Sequence, residues 1–261
     1  IGENSYNTAG QWAAYTFKVP SSGLYKIGMR YKQTALQGMY ICRTIKLSGG
    51  HYGDTPVVPF AEAYQAEFNY DKKWQSSFVS KDDTAFLFYF EEGVEYTLYL
   101  ECSLGSLKEL IQRVENSLDE INACYLRILQ LTGNDPDEYR DYGFRDIMPE
   151  VLISLLEQAI ELEAVKLEFE ALCGTTGSHI TTLHTIALLL DKMGAENGDE
   201  IAANMATLKS YLGTLGTWIN DSKASTIMLD SMYAVPADTE ISNLPVKASA
   251  NFFASFWHEI R

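Results

Sequence analysis

The chain has 261 residues, enough for one large or two ordinary domains, and its 46% hydrophobic and 21% charged residues are typical of a globular protein. Its net charge of −15 would repel phosphate backbones, so we expect no nucleic-acid partner. No apolar run approaches the roughly 20 residues of a membrane span, so we expect no direct membrane insertion of this chain.

The first hundred residues alternate apolar and polar side chains with a period of two, the pattern of half-buried strands. Residues 15–19 and 25–31 do so on either side of a turn, which predicts a hairpin. Five further strands are predicted at residues 40–47, 60–70, 76–80, 85–90 and 96–102, with turns between them, one of which is at residues 71–74. Seven short, aromatic-rich strands predict a β-sandwich of the jelly-roll type.

After Gly105 the apolar spacing changes to three and four residues, which predicts four amphipathic helices. Their predicted bounds are Leu107 to the turn at 132–136, Pro149 to a stop at Gly174, Ser178 as N-cap to Met193, and Asn197 or Asp199 to Ile219. Short connections favour an antiparallel four-helix bundle. Residues 105–222 hold 20 Asp/Glu against 8 Lys/Arg, so most of the acidity belongs to these helices, which we interpret as solvated helix faces.

The pattern then returns to that of a strand at residues 226–235, which Pro236 ends. A single strand needs a sheet to join, and the sandwich is the nearest one. We therefore predict an α+β chain in which the bundle is inserted before the last strand of the sandwich. Residues 1–104 and 225–240 would form the sandwich, 105–224 the bundle, and 241–261 a linker or the start of a following domain, with a helix beginning at 251–260.

The four cysteines are too few for a disulfide scaffold in a chain of this length. Cys124 and Cys173 would lie roughly 25 Å apart on antiparallel helices, too far to bridge. Cys42 and Cys102 fall on predicted strands and are able to pair, but buried thiols are the preferred interpretation.

The residue types that carry metal or catalytic chemistry are scattered. The four histidines show no metal-ligand spacing. Residues 135–141 resemble a calcium loop, but they lack its Gly and its twelfth-position Glu, so calcium binding has no supporting motif. There is no nucleophile elbow or phosphate-binding loop, and paired carboxylates fall in predicted turns. We therefore predict neither an enzyme nor a cofactor.

The aromatic content of the first hundred residues suggests a surface that binds sugar. Sugars present apolar C–H faces that stack on aromatic rings, with polar groups beside them to bind the hydroxyls. The candidates are Tyr52 and Trp74 in predicted loops, with Tyr40 and Gln33 beside the second turn. The alternative for each ring is a place in the core or in a cross-strand pair, which is the commoner fate of aromatic residues in a sandwich.

Four segments resemble galactose-binding-like sandwiches of the family-6 and family-35 carbohydrate-binding modules. Residues 11–33 resemble their opening strands around V-P-x-x-G-x-Y, and residues 47–50 their loop after a mid-sheet strand. Residues 90–98 are similar to their late hairpin, with Tyr in place of a His, and residues 227–232 to their final L-x-x-D-x-I strand. The resemblance implies a jelly-roll fold with a carbohydrate ligand as partner.

The layout of the whole chain, including residues 144–149, 215–219 and 252–257, resembles the N-terminal region of large surface proteins of Gram-positive bacteria. There it precedes an extracellular solute-binding domain of a sugar-type ABC transporter. Because the chain starts at Ile1 without Met, we expect an excised piece of such a protein. The resemblance implies an extracellular, cell-surface location, with the following solute-binding domain of the same chain as partner.

Three hypotheses of function follow from these patterns. The first is a non-catalytic carbohydrate-binding module of a surface sugar-uptake protein, which exposed aromatic side chains on one edge would support. The alternative is a structural spacer or protein-interaction module, which an apolar patch on the bundle would support. The third and most distant is a hydrolase, which would need two carboxylates converging in a cleft.

Overall fold

The computed structural model describes residues 5–49, 51–52, 55–56, 63–81, 83–244 and 257–260. It is α+β, with a sheet-rich region and a helical bundle, which confirms the predicted fold class at this level. The chain divides into two compact units. The sheet unit takes its described residues from Ile1–Leu36, Tyr40–Gly105 and Ala224–Arg261, and the helical unit comprises Gln37–Met39 and Ser106–Lys223.

The strands of the sheet unit form two main sheets and two short pairs. In chain order they are β1 (Trp12–Lys18), β2 (Gly23–Gln33), β3 (Ile41–Gly49), β4 (His51–Tyr52), β5 (Thr55–Pro56), β6 (Tyr64–Phe68), β7 (Asp71–Phe78), β8 (Ser80–Lys81), β9 (Thr84–Ala85), β10 (Phe88–Phe90), β11 (Glu95–Ser103), β12 (Met228–Pro236) and β13 (Trp257–Ile260). The first main sheet has the order β13-β1-β11-β3-β6. The second has β2 at its centre, with β12 along one edge and β7 and β10 in turn along the other.

The two main sheets face each other through aromatic rings. Phe17 of β1 lies edge-on to Phe90 of β10, with ring centroids 5.1 Å apart, and Tyr31 of β2 lies edge-on to Phe68 of β6 at 4.9 Å. Each pair joins one strand of each sheet. Most of the predicted aromatic pattern therefore serves the core, where each such ring buries about 150–250 Å².

The hairpin predicted for residues 15–31 does not form, although both of its strands do. β1 pairs with β11 and β13, whereas β2 pairs with β7, β10 and β12. The turn between them carries the chain from one sheet to the other. This arrangement lets Phe17 of β1 and Tyr25 of β2 pack against the same ring, Phe90, from opposite sheets.

The strand predicted at residues 226–235 forms as β12, which runs antiparallel to β2 from Met228 opposite Lys32 to Pro236 opposite Tyr25. The helix predicted at 251–260 is wrong for its last part, because Trp257–Ile260 is strand β13, paired antiparallel with β1. The open edge of β1 offers backbone hydrogen bonds that outweigh a helical preference in so short a segment. Residues 251–256 lie outside the described part of the chain.

The helices are α1 (Leu107–Thr132), α2 (Phe144–Ile147), α3 (Pro149–Cys173), α4 (Ser178–Gly194) and α5 (Ile201–Ala224). The four long ones confirm the predicted helices, and α2 is a single short turn that the pattern did not predict. Pro149 lies in the first turn of α3, and Gly174 ends it with the left-handed φ of 64° that favours glycine. Ser178 is not the cap of α4: its hydroxyl donates to Gln37 Oε1 at 3.0 Å, and Gly177 precedes the helix.

Contacts between side chains show that neighbouring helices are antiparallel. Arg113 near the start of α1 binds Glu168 near the end of α3, and Arg127 near the end of α1 binds Glu150 at the start of α3. The two helices therefore run in opposite directions. In the same way Glu163 of α3 binds His184 of α4, and Leu156 of α3 lies against Gly194 of α4. Helix α5 runs back along α4 and reaches α1, as shown by the contacts His179–Ser222 and Lys223–Glu115.

All four cysteines lie in the described part of the chain and are thiols. Burial raises the pKa of both Cys102 and Cys124, which keeps these thiols protonated and weakly reactive. The preferred interpretation of buried thiols is confirmed for Cys42, Cys102 and Cys124, while Cys173 is half-buried.

We expect Gly49→Ala to lower the free energy of unfolding of the sheet unit by about 2 kcal/mol or more. Gly49 ends β3 with a φ of +145°, and an added Cβ would lie 2.5 Å from the Glu95 carbonyl oxygen and 2.6 Å from Tyr96 Cα. Urea denaturation would measure the loss. The matched control is Gly93→Ala, because Gly93 also has a positive φ (71°) but nothing lies within 4 Å of its added Cβ. Equal losses in the two variants would show that the backbone contact at Gly49 is unimportant.

Candidate ligand-binding surface

The four residues predicted to bind sugar do not share one environment. Trp74 is 41% exposed, but it lies within strand β7 rather than in a loop. Tyr40 is 3% exposed and Gln33 is fully buried, so both belong to the interior, and sugar contact by either would require the sheet unit to open. The backbone of Tyr52 lies in β4, and its side chain is outside the described part of the structure.

Gln33 is interior for a reason that the sequence already contains. It continues the series Tyr25, Ile27, Met29 and Tyr31, whose side chains alternate into the core along β2. Its amide oxygen accepts a hydrogen bond from the Leu36 N–H at 3.2 Å, so it shapes the turn after the strand. Extending the alternation by two residues, from Tyr31 to Gln33, would have predicted that the Gln33 side chain points into the core.

Trp74 lies beside an ion pair on the outer face of the second sheet. The Arg30 guanidinium carbon is 4.9 Å from the centroid of the Trp74 ring, and Arg30 Nη1 donates to Asp230 Oδ2 at 2.5 Å. The three residues come from β7, β2 and β12, three adjacent strands. We call them the Trp74 patch.

Strand register and a β-bulge bring the patch together. Arg30 lies opposite Ser76 of β7 on one side and Ser231 of β12 on the other, and its side chain points outward because its neighbours in β2 point inward. The register shifts between Leu229 and Ser231, so Asp230 is the extra residue of a bulge. A bulge re-aims side chains, which accounts for the Asp230 carboxylate meeting Arg30. Arg30 and Asp230 were not among the predicted site residues.

An apolar cluster covers the far end of the same face. Phe78, Tyr233, Val235 and Leu244 pack together there and are buried. The Tyr233 hydroxyl lies 2.5 Å from the Ser231 hydroxyl, which continues the polar surface from Arg30 toward the cluster. The face therefore changes from apolar at one end to aromatic and charged at the other.

The chemistry of the Trp74 patch suits a polar, non-ionic ligand with apolar faces. The indole offers a flat apolar surface and one N–H donor. Arg30 and Asp230 supply donors and acceptors in the fixed geometry of an ion pair, with side chains that are 19% and 30% exposed. Half-buried charges of this kind are accessible but held in place.

In the helical unit, His179 of α4 is a histidine whose pKa burial shifts strongly. Its ring stacks on Trp218 of α5 with centroids 4.8 Å apart, and its Nε2 lies 2.8 Å from the Ser222 hydroxyl. Burial lowers the pKa of His179 to about 4, so the ring is neutral near pH 7. These contacts make His179 a packing residue between α4 and α5.

The part of the chain that the structure describes contains no group of three or more His, Cys, Asp or Glu side chains placed to hold a metal ion. Among its helices, none is long and apolar enough to cross a membrane.

Comparison with known families gives a match in the helical unit. Residues 109–221, which run from α1 into α5, match the family described as bacterial solute-binding protein, 4-helix bundle domain. This segment is therefore similar to a region of bacterial solute-binding proteins, which supports the predicted relation to them at that level. Comparison with curated proteins found no match.

Proposed function

We propose that the chain is a non-catalytic carbohydrate-binding part of the substrate-binding component of a bacterial sugar transporter. The family match of residues 109–221 supports the transporter component. The observation that carries the carbohydrate part is the Trp74 patch, in which an exposed ring lies beside the Arg30–Asp230 ion pair. Two aromatic-packed sheets support a jelly-roll, galactose-binding-like fold for the sheet unit.

The proposal rests on matched chemistry at the patch. A pyranose ring would lay its C–H face on the face of the Trp74 indole that Arg30 does not cover, and hydroxyls at the edge of the sugar would exchange hydrogen bonds with Arg30 and Asp230. The patch offers one carboxylate, whereas glycoside hydrolysis uses two that converge on one bond, which favours binding without catalysis.

Solute-binding proteins act outside the cytoplasmic membrane, so the family match supports an extracellular location. The Gram-positive cell surface is the finer part of the proposal and rests on the resemblance in chain layout. In that setting the module would hold glycans near a following solute-binding domain of the same chain. Its role would be to raise the local concentration of sugar, as linked binding modules do.

Trp74→Ala is expected to weaken sugar binding roughly tenfold or more, because it removes the apolar platform. A glycan array would select the ligand and isothermal titration would measure its affinity, with and without calcium. Tyr89→Ala is the matched control: Tyr89 is also an exposed ring on this sheet (57%), but it lies opposite Leu24, at the other end of β2 from Arg30. A second variant, Trp74→Ala with Tyr52→Ala, tests the other predicted ring.

Two results would contradict the proposal in different ways. If no glycan binds saturably, with or without calcium, the module does not bind carbohydrate. If binding survives both Trp74→Ala and Arg30→Met, the chain binds sugar elsewhere and the Trp74 patch is not the site.

A protein-interaction module is the second candidate function, and one observation favours it. The helical unit exposes several large apolar side chains on α3, the feature that the interaction hypothesis requires.

A further inference from the structure

Helix α3 carries two apolar faces, although a bundle needs only one. Its inner face is buried through Leu155, Leu162 and other residues. On the outer face Ile153, Ile160 and Leu167 are 56%, 72% and 54% exposed. They recur every seven residues, which is close to two helical turns, so they form one line along the helix.

This line borders a groove between α3 and α4. Ile160, Ala164 and Leu167 form one wall, and Ala187 and Leu188 contribute the other, with Leu188 57% exposed. The cavity measures about 450 Å³ and is lined mainly by apolar side chains. We call it the α3/α4 groove. Its shape and composition are those of sites that receive the apolar face of a helix.

Two carboxylates lie at one level of the two helices: Asp191 lines the groove, and Glu157 is an exposed residue of α3 that does not line it. Because Glu163 binds His184 and Leu156 lies against Gly194, the antiparallel register places Glu157 and Asp191 at about the same height. Within the described residues neither Glu157 nor Asp191 forms an ion pair, whereas Glu163 is held by both His184 and Lys166. The charge that remains to be matched at the groove is therefore negative.

We propose that the α3/α4 groove binds an amphipathic helix of a partner protein, with apolar side chains along Ile160 and Leu167 and a Lys or Arg at the level of Glu157 and Asp191. Charge complementarity selects this occupant over a second copy of the chain. Another copy would bring a helical region of net charge −12 (20 Asp/Glu against 8 Lys/Arg in residues 105–222) against the same carboxylates.

The test uses the full 261-residue chain and a synthetic amphipathic Leu/Lys helix with a fluorescent label, followed by anisotropy. A scrambled peptide of the same composition controls for charge alone. Saturable binding of the amphipathic peptide, at least several-fold tighter than that of the scrambled one, is expected.

Ile160→Glu is the decisive variant, and we expect it to weaken binding roughly tenfold by removing one apolar contact. The substitution adds a negative charge, which would strengthen any non-specific attraction to a basic peptide. A loss of peptide affinity would therefore report the loss of the apolar contact with Ile160. Leu126→Glu is the matched control, because Leu126 is an exposed (47%) leucine of α1 that does not line the groove. The double variant Glu157→Gln, Asp191→Asn should also weaken binding and flatten its salt dependence.

Three results would overturn the proposal: equal binding of the two peptides, equal affinities of Ile160→Glu and Leu126→Glu, or a dimer in light scattering that Ile160→Glu converts to a monomer. The last would make a second copy the occupant. The proposal does not depend on sugar binding, since Trp74→Ala should leave peptide binding unchanged.

Discussion

Arg43→Ala is expected to lower the free energy of unfolding of the sheet unit by about 3–5 kcal/mol. Arg43 of β3 is 1% exposed and bound on several sides. Its Nη1 donates to the Cys42 carbonyl oxygen at 2.9 Å and to the Ser225 hydroxyl at 2.7 Å. Its Nη2 donates to the carbonyl oxygens of Ser225 at 2.8 Å and Tyr6 at 3.3 Å, and the guanidinium lies 4.7 Å from the Tyr6 ring.

The effect is large because the acceptors that Arg43 satisfies are themselves buried. No ion pair of Arg43 occurs among the described residues, so neutral oxygens and one aromatic ring take the place of a carboxylate. Ser225 follows the last residue of α5 and has a positive φ of 42°, so Arg43 holds the chain where it returns toward β12. Alanine would remove four hydrogen bonds to buried acceptors, and lysine, which lacks the planar fork, should restore only part of the loss.

Urea denaturation followed by circular dichroism would measure this loss, with the sheet and helix transitions fitted separately. Lys46→Ala is the matched control, since Lys46 lies on the same strand in an exposed pair with Glu101 and should cost less than about 1 kcal/mol. A loss at Arg43 no greater than that of the control would show that the buried hydrogen bonds contribute little.

Acidification from pH 7 to pH 4.5 is expected to lower the stability of the helical unit by about 2–3 kcal/mol through His179 alone. Burial lowers the pKa of His179 from 6.5 to about 4 in the folded chain. Because the folded value lies below the unfolded one, the contribution is complete above about pH 6.5 and is lost as the pH falls toward 4. Protonation would place a charge in a partly buried position beside Trp218 and Ser222, where burial disfavours the charged form.

The range from pH 7 to pH 4.5 distinguishes the titration of His179 from that of the acidic groups. Hydrogen bonds lower the pKa of Glu150, Glu163 and Glu200 below 4.5, so their stabilising contributions are lost only under more acidic conditions. The measurement is the free energy of unfolding from urea curves at several pH values between pH 7 and pH 4.5. His179→Gln removes the titrating group, and its curve should be nearly flat over this range even if its stability at pH 7 is lower. Parallel curves for the two proteins would assign the pH dependence to another group.

The helices were predictable from the sequence because their signals are local. Apolar side chains at three- and four-residue steps define each buried face, and Pro149 and Gly174 act through the backbone dihedral angles that they allow. These features need no knowledge of distant residues. The antiparallel order followed from short connections, and the ion pairs Arg113–Glu168 and Glu163–His184 agree with it.

Strands were predictable as segments but not in their pairing. Alternation placed β1 and β2 correctly, yet the two strands belong to different sheets. The last part of the segment predicted to be a helix is strand β13. A strand satisfies its backbone by partners that lie far along the chain, and several partners suit the same alternation equally well. The predicted turn at residues 71–74 likewise became part of β7 because β2 offered it an edge.

The candidate binding surface shows the same division. The sequence by itself determined that Trp74 is a ring set among polar neighbours, that Gln33 follows the inward phase of β2, and that the acidic helices form amphipathic faces. Only the tertiary structure decided that Arg30 meets Asp230 across 200 residues of chain and that both lie beside Trp74. The physical reason is that periodicity sets which face a side chain occupies, whereas strand register and one β-bulge set which residues share that face.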